Sequence, residues 1–156
     1  MQHIVLLPRL DETEDTSGFL SLLNEAFTDL HTVSLGSIGN ELDERTWIAA
    51  VCLSISKQTY ERDILHFVAF DGAVNRLPDI AFANRASHRT IHSYTFIDCV
   101  PETILPDWPD APVTLIITNP LSTLGQRAKL RGWEVLSIDR ADLPKTLTRT
   151  LQNYTI

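Results

Sequence analysis

The residue with the clearest chemical potential in this 156-residue chain is Asp71, which directly follows the apolar run 64–70. A carboxylate in this position can attack an electrophilic carbon to form an ester, or it can remove a proton as a general base. It can also cap the helix predicted to follow it, because a carboxylate accepts hydrogen bonds from the free N–H groups at a helix start. The sequence leaves these three roles open.

Alternating elements must position Asp71, since apolar runs of strand length alternate with segments of helical period. The predicted strands cover residues 4–7, 31–35, 64–70, 94–99, 113–118 and 133–138. The predicted helices cover residues 19–30, 47–55, a segment that starts or bends at Pro78, 122–131 and 143–152. This alternation predicts one α/β domain over residues 1–156, a three-layer sandwich whose helices flank a mainly parallel sheet of about six strands.

The carboxyl ends of the predicted strands are the expected ligand-binding edge of such a sheet. Besides Asp71, the polar residues that follow strands there are Arg9, Asp98, Asn119, Asp139 and Arg140. Asp98 is either an acid or a turn cap before Pro101, and Arg140 either binds an anion or pairs with a neighbouring aspartate. Trp108, in the proline-rich connection 101–112, either covers a pocket or anchors that connection in the core.

The segment 67–74, Phe-Val-Ala-Phe-Asp-Gly-Ala-Val, resembles the nucleophile elbow of the α/β-hydrolase family, which is normally Gly-x-Ser-x-Gly. Asp71 takes the nucleophile position, and Ala69 and Ala73 replace the flanking glycines. The resemblance continues at residues 96–98, Phe-Ile-Asp, and at the Gly132-Trp133 pair that introduces the last strand. It therefore extends, as a pattern, over nearly the whole chain.

The resemblance implies an incomplete catalytic site. Arg9 falls where the family places one oxyanion-hole N–H, and Asp98 falls where some members carry a displaced acid. Asn119 stands at the usual acid position and cannot carry charge. The loop that should hold the catalytic His reads Asp-Arg-Ala-Asp at residues 139–142. Relatives similar to haloalkane dehalogenases and epoxide hydrolases use Asp at the elbow, but their ester is hydrolysed by water that a His activates.

Composition and charge narrow the classes of partner. The chain has 13 basic and 20 acidic residues, a formal charge of −7, so nucleic-acid binding is not expected. The acidic stretch 11–15 is either a solvated, charge-rich loop or a segment near the pocket mouth that would disfavour anionic ligands. No apolar run approaches the roughly 20 residues that span a bilayer, and the N-terminus lacks the basic segment of a signal peptide, so we expect no membrane association and a cytoplasmic location.

Cofactor and metal motifs are not found in the sequence. Neither Gly-x-Gly-x-x-Gly nor a Walker pattern follows the first strand, and the spacing of the five His residues matches no ligand set, so no cofactor or metal is expected. Cys52 and Cys99 lie in apolar runs and are expected to be reduced thiols. A flavodoxin-like or receiver-like topology remains an alternative to the hydrolase-like one.

Three functional hypotheses follow. The first is a hydrolase-like domain without the Ser-His-acid machinery that has a binding or scaffold role. A small molecule would bind at the carboxyl edge of the sheet, where the predicted ligand-binding residues are Arg9, Gly72, Trp108, Asn119 and Arg140. The second is an unusual hydrolase or related enzyme in which Asp71 is the nucleophile or general base and Asp98 assists. The third is an interaction subunit that forms a homodimer, because the absent antiparallel edge strands of the family would leave a sheet edge open for pairing.

Overall fold

The computed structural model describes residues 1–10, 17–27, 29–36, 38–39 and 41–155, and within them six strands form one sheet. The strands are β1 (Gln2–Leu6), β2 (Leu30–Thr32), β3 (Ile64–Phe70), β4 (Thr90–Ile97), β5 (Val113–Ile117) and β6 (Glu134–Ser137). Their order across the sheet is β2-β1-β3-β4-β5-β6, and every neighbouring pair is parallel. The predicted α/β class with a mainly parallel sheet is confirmed, and the sheet of the described residues is parallel throughout.

Helices cover both faces of this sheet. They are α1 (Ser17–Ala26), α2 (Glu44–Gln58), α3 (Leu77–Ala86), α4 (Leu124–Leu130) and α5 (Leu143–Tyr154), with 3₁₀ turns at Asp71–Arg76 and Arg140–Asp142. Apolar residues of α1 and α5 share one core cluster with Val68 and Phe70, whereas those of α2, α3 and α4 share another with Phe67 and Ala69. The side chains of successive β3 residues therefore point into opposite cores, which is the three-layer arrangement that the sequence predicts.

The strand order places a switch point between β1 and β3. The chain leaves β1 for β2 on one side and then crosses to β3 on the other. The two connections diverge there, so the carboxyl ends of β1 and β3 flank the crevice where open α/β sheets bind ligands. Arg9 follows β1 and Asp71 follows β3, so the fold brings these two predicted residues to one place.

The boundaries of several elements differ from the predicted ones for local reasons. β4 begins at Thr90 instead of residue 94, because the polar residues His92 and Ser93 conceal its first half from an apolar pattern. Helix α3 begins at Leu77 with Pro78 in its first turn, where a missing N–H costs nothing. Gly132 has φ +78° just after α4, which confirms the predicted glycine stop.

Polar side chains interrupt the core at the amino-terminal half of β3. His66 is fully buried, with Nδ1 2.9 Å from Ser93 Oγ and Nε2 2.9 Å from Gln2 Oε1. Since the amide oxygen of Gln2 can only accept, Nε2 carries the hydrogen and Nδ1 accepts from the Ser93 hydroxyl. Burial, with a smaller contribution from the nearby His92, lowers the pKa of His66 to about 4. The fold therefore stabilises the neutral imidazole.

This burial predicts a loss of stability in acid. A group whose pKa falls from 6.5 in the unfolded chain to about 4 in the folded protein binds its proton first in the unfolded state. The unfolding free energy is therefore unaffected by His66 above pH 6.5. It decreases by up to about 3 kcal/mol as the pH falls from 6.5 towards 4, because protonation then favours the unfolded chain. Urea unfolding of the His66→Gln variant should show a flatter pH dependence in this window than the wild type.

The exposed His88 supplies the matched control for this experiment. It lies in the turn before β4 at φ +63°, a conformation that Asn tolerates. His88→Asn should keep the acid slope of the wild type. An equal slope in wild type and His66→Gln would contradict the assignment of the acid sensitivity to His66.

Candidate functional site

The backbone bends sharply at Asp71, the first residue after β3. Its φ of +49° lies in the left-handed region, which few residues other than Gly adopt, and the residues from Asp71 to Arg76 form a 3₁₀ turn before α3. A sharp turn from strand to helix is the geometry of a nucleophile elbow. The next residue, Gly72, is not crowded by its surroundings. A Cβ built on it would lie 3.5 Å from Leu10 Cδ1, which is an ordinary van der Waals contact.

The carboxylate of Asp71 pairs with Arg9. Arg9 Nη2 donates to Asp71 Oδ2 at 2.6 Å, and the Arg9 guanidinium carbon lies 4.7 Å from the centre of the Phe70 ring. The Arg9 side chain is 8% exposed and that of Asp71 is 37% exposed. The 3₁₀ turn has no side-chain cap, so the helix-capping role that the sequence allowed for Asp71 is not observed. The turn presents instead a charge-paired carboxylate whose other oxygen, Oδ1, accepts no hydrogen bond from the described residues.

Asp98 fastens the carboxyl ends of β4 and β5 together. Its Oδ1 accepts from the Thr118 N–H at 2.7 Å, and its Oδ2 accepts from the Thr118 hydroxyl. Its own N–H donates to Ile116 O at 2.9 Å, and its φ is +56°. Both carboxylate oxygens thus serve the neighbouring strand. This geometry favours a structural role over the predicted acid, and it differs from the predicted turn cap before Pro101.

Cys99 lies among the carboxylates of this edge. Its thiol is half-buried, and burial, followed by the charges of Asp71, Glu102 and Asp98, raises the pKa of Cys99. The thiol is therefore held in its protonated, weakly nucleophilic form. The proximity of Cys99 to Asp71 was not predicted from the sequence. Cys99 directly follows Asp98, and this position could have indicated that the thiol lies at the same edge.

A cleft of about 460 Å³ opens at the ends of β5 and β6. Asn119, Asp139 and Asp142 line it together with Thr118 and Ser137. The Asn119 side chain accepts from the Leu121 N–H at 3.0 Å, which shapes the loop at the cleft wall. The structure thus brings two of the predicted residues, Asn119 and Asp139, to one cleft. Arg140, also predicted here, is exposed at the start of the 3₁₀ turn that follows β6.

Trp108 is part of the core. It is 4% exposed, its Nε1 donates to Tyr94 Oη at 3.0 Å, and its ring packs edge-on against the Tyr94 ring at 5.4 Å. Asp110 and Arg85 complete the network around the Tyr94 hydroxyl. Burial, followed by the charge of Asp110, raises the pKa of Tyr94. Of the two roles predicted for Trp108, these contacts favour the anchoring of the connection over the covering of a pocket.

The described residues place no imidazole beside Asp71. His66 precedes Asp71 by five residues on β3, which corresponds to about 16 Å along an extended chain. The His92 ring packs against that of His66, and the His3 ring against that of His31, in the amino-terminal halves of the strands. His88 lies in the turn before β4. The acidic stretch 11–15, expected near this edge, lies outside the described residues.

The edge as a whole is polar and mainly acidic. Adjacent strands are about 4.8 Å apart, so β3 and β5, which precede Asp71 and Asn119 and have β4 between them, lie about 10 Å apart. Among the described residues no three His, Cys, Asp or Glu side chains gather closely enough to ligate a metal ion, and no helix is long and apolar enough to cross a membrane. A larger groove of about 610 Å³ lies between α1 and α5, away from the strand ends.

Comparison with known proteins finds no family. No protein-family model matches the chain, and no curated protein matches it in sequence.

The Asp98–Thr118 contact gives a prediction about stability. Asp98→Asn keeps a residue that tolerates positive φ but removes the charge from both hydrogen bonds to Thr118. We expect a loss of about 1–2 kcal/mol of unfolding free energy in urea titrations at neutral pH.

A double-mutant cycle with Thr118→Val tests the cause of this loss. Thr118→Val should cost less in the Asp98→Asn background than in the wild type, because the two residues share one interaction. Additive losses would show that Asp98 acts through other contacts.

Proposed function

We propose that this chain is a minimal α/β-hydrolase-like domain that does not catalyse hydrolysis and instead binds a small molecule at the carboxyl edge of its sheet. One observation carries the proposal: at the elbow, the Asp71 carboxylate is paired at 2.6 Å with the Arg9 guanidinium. In a catalytic triad, by contrast, the nucleophile is activated by an imidazole that acts as the general base.

The ion pair opposes nucleophilic chemistry at Asp71. A carboxylate attacks through an oxygen lone pair, and the guanidinium both occupies Oδ2 and withdraws its charge. An ester formed by the remaining oxygen would then need an activated water, and the nearest imidazole on β3 is about 16 Å away along the strand. Loss of the base alone lowers the rate of a triad by orders of magnitude.

The same geometry supports binding. The Asp71 side chain is 37% exposed at the switch point, so Oδ1 is available to accept a hydrogen bond from a ligand. Arg9 fixes the carboxylate in one orientation, which reduces the entropic cost of recognition. Asp98, Glu102 and Asp139 give the edge a negative field, which favours ligands with hydroxyl or amine donors over anions. Of the predicted ligand-binding residues, Arg9 bonds to Asp71 and Gly72 follows it in the chain, whereas Asn119 lies beyond β4, at the end of β5.

The second candidate is an enzyme in which Asp71 is the nucleophile or general base. The positive φ of Asp71 favours it, because this is the backbone geometry that presents a nucleophile at an elbow. A general base forms no covalent intermediate, so this mechanism does not need the missing His.

Turnover distinguishes the two candidates. Wild type, Asp71→Asn and Asp107→Asn should all fail to hydrolyse a panel of esters, epoxides and haloalkanes above the buffer rate. Asp107 is an exposed aspartate in the proline-rich connection and serves as the matched control. Turnover by wild type and Asp107→Asn that disappears in Asp71→Asn would establish the enzyme and end the binding proposal.

Binding is measured by thermal unfolding with a panel of small polyols and amines. A ligand that binds the folded state raises the melting temperature of wild type and Asp107→Asn by an amount that grows with the logarithm of the ligand concentration once that concentration exceeds Kd. Asp71→Asn should lose most of the shift, because the ligand then faces a neutral amide. Equal shifts in all three proteins, or no shift with any compound of these classes, would contradict a binding site at Asp71.

A further inference from the structure

The outer edge of β6 lies three strands away from the β3 end that carries Asp71. β6 ends the sheet, and no strand of the described residues pairs with its outer side. An edge strand presents a row of backbone donors and acceptors, and monomeric proteins usually protect such edges with Lys, Pro or a bulge. β6 is the four-residue strand Glu-Val-Leu-Ser, whose one charge is at its first residue and which contains neither Lys nor Pro.

The hydrogen-bond pattern shows which backbone groups face outward. The Ile138 N–H donates to Ile117 O at 3.0 Å, so Ile138 points towards β5. Backbone groups alternate in direction along a strand, and therefore those of Leu136 and Glu134 also point towards β5. The N–H and C=O groups of Val135 and Ser137 consequently point away from the sheet.

We propose that two copies of this chain pair through β6 as antiparallel strands related by a two-fold axis at Leu136, which joins their sheets into one. In this register Val135 of each copy lies opposite Ser137 of the other, and each such pair exchanges N–H and C=O hydrogen bonds. The two outward-facing residues of the strand are both used, so the edge is self-complementary, as a two-fold interface requires.

The side chains fit this register. The opposed pairs are Glu134 with Ile138, Leu136 with Leu136, and Val135 with Ser137, so no like charges meet. Leu136 is half-buried on the α5 face, where a cavity of about 270 Å³ between β6 and α5 leaves room for apolar contact from the other copy. Leu136 of each copy thus meets its equivalent at the axis.

The surroundings of β6 also favour a protein partner. Leu121 and Leu130 are 87% and 89% exposed, and they lie before and at the end of α4, the helix that covers β6 on the opposite face. The other edge strand, β2, has only three residues and offers a shorter ladder. Two copies of β6 therefore form the longest edge pairing that the described sheet allows.

Sedimentation velocity of the full chain across a wide concentration range tests the pairing. Wild type and Ser137→Ala should dimerise, because both keep the backbone N–H at residue 137. Ser137→Pro removes that donor in both copies but leaves the inward bonds of Leu136 and Ile138 intact, so self-association should weaken roughly tenfold or more. A wild type that stays monomeric, or a Ser137→Pro protein that dimerises as well as wild type, would overturn the proposal.

Cysteine cross-linking tests the register without a proline. Residues at a non-hydrogen-bonded antiparallel position have Cα atoms about 4.5 Å apart, which suits a disulfide. Leu136→Cys should therefore form a covalent dimer under mild oxidation. Ser137→Cys should not, because its equivalent lies diagonally, beyond about 7 Å. Wild type, whose Cys52 and Cys99 are half-buried, gives the background. Efficient cross-linking of Ser137→Cys, or none of Leu136→Cys, would refute the two-fold axis at Leu136.

Discussion

The site depends on one topological constraint, which is that the chain winds away from β1 in both directions. β2 lies on one side of β1 and β3 on the other, so the carboxyl ends of β1 and β3 lie side by side at the switch point of the sheet. Arg9 and Asp71 are 62 positions apart in sequence and meet only because of this arrangement. Burial supports the ion pair, because the Arg9 side chain is almost enclosed and lies over the Phe70 ring.

The two ends of the sheet divide the polar chemistry of the molecule. At the carboxyl ends, Asp71 and Asp139 reach solvent, whereas Asp98 is bonded to Thr118. Imidazoles gather near the amino-terminal ends, where His66 bonds to Ser93 and Gln2, and His3 bonds to Asp63 at 2.9 Å. Acid–base catalysis of the hydrolase type at Asp71 would need an imidazole beside that carboxylate. The nearest imidazole on β3, that of His66, is about the length of the strand away from Asp71, and side-chain rotation cannot remove this separation.

Periodicity predicts most of the fold, because long apolar runs report burial on both faces of a parallel sheet. The first half of β4 was missed since Ser93 and His92 are polar, and their place in the sheet becomes visible only with His66 beside them. The sequence also predicts that Arg9, Asp71, Asp98 and Asn119 share one edge. It cannot predict which of them pair, because the partner of each carboxylate depends on which strand lies next to it in the sheet. That order decides whether the carboxylate meets a guanidinium or a hydroxyl. Trp108 shows the same limit, since the sequence allowed both of its roles.

The positive φ of Asp71 is weak support for a catalytic role, because Asp98 in the same protein has a similar φ. Asp98 has nearly the same φ, +56° against +49°, and also ends a central strand, but its carboxylate is fully engaged by Thr118. Asp tolerates the left-handed region better than most residues, so the conformation is inexpensive at both positions. Positive φ at a strand end therefore marks a sharp turn in this fold. What distinguishes Asp71 is its partner: a guanidinium orients a carboxylate for recognition, whereas Asp98 turns both of its oxygens inward to hold β4 and β5 together.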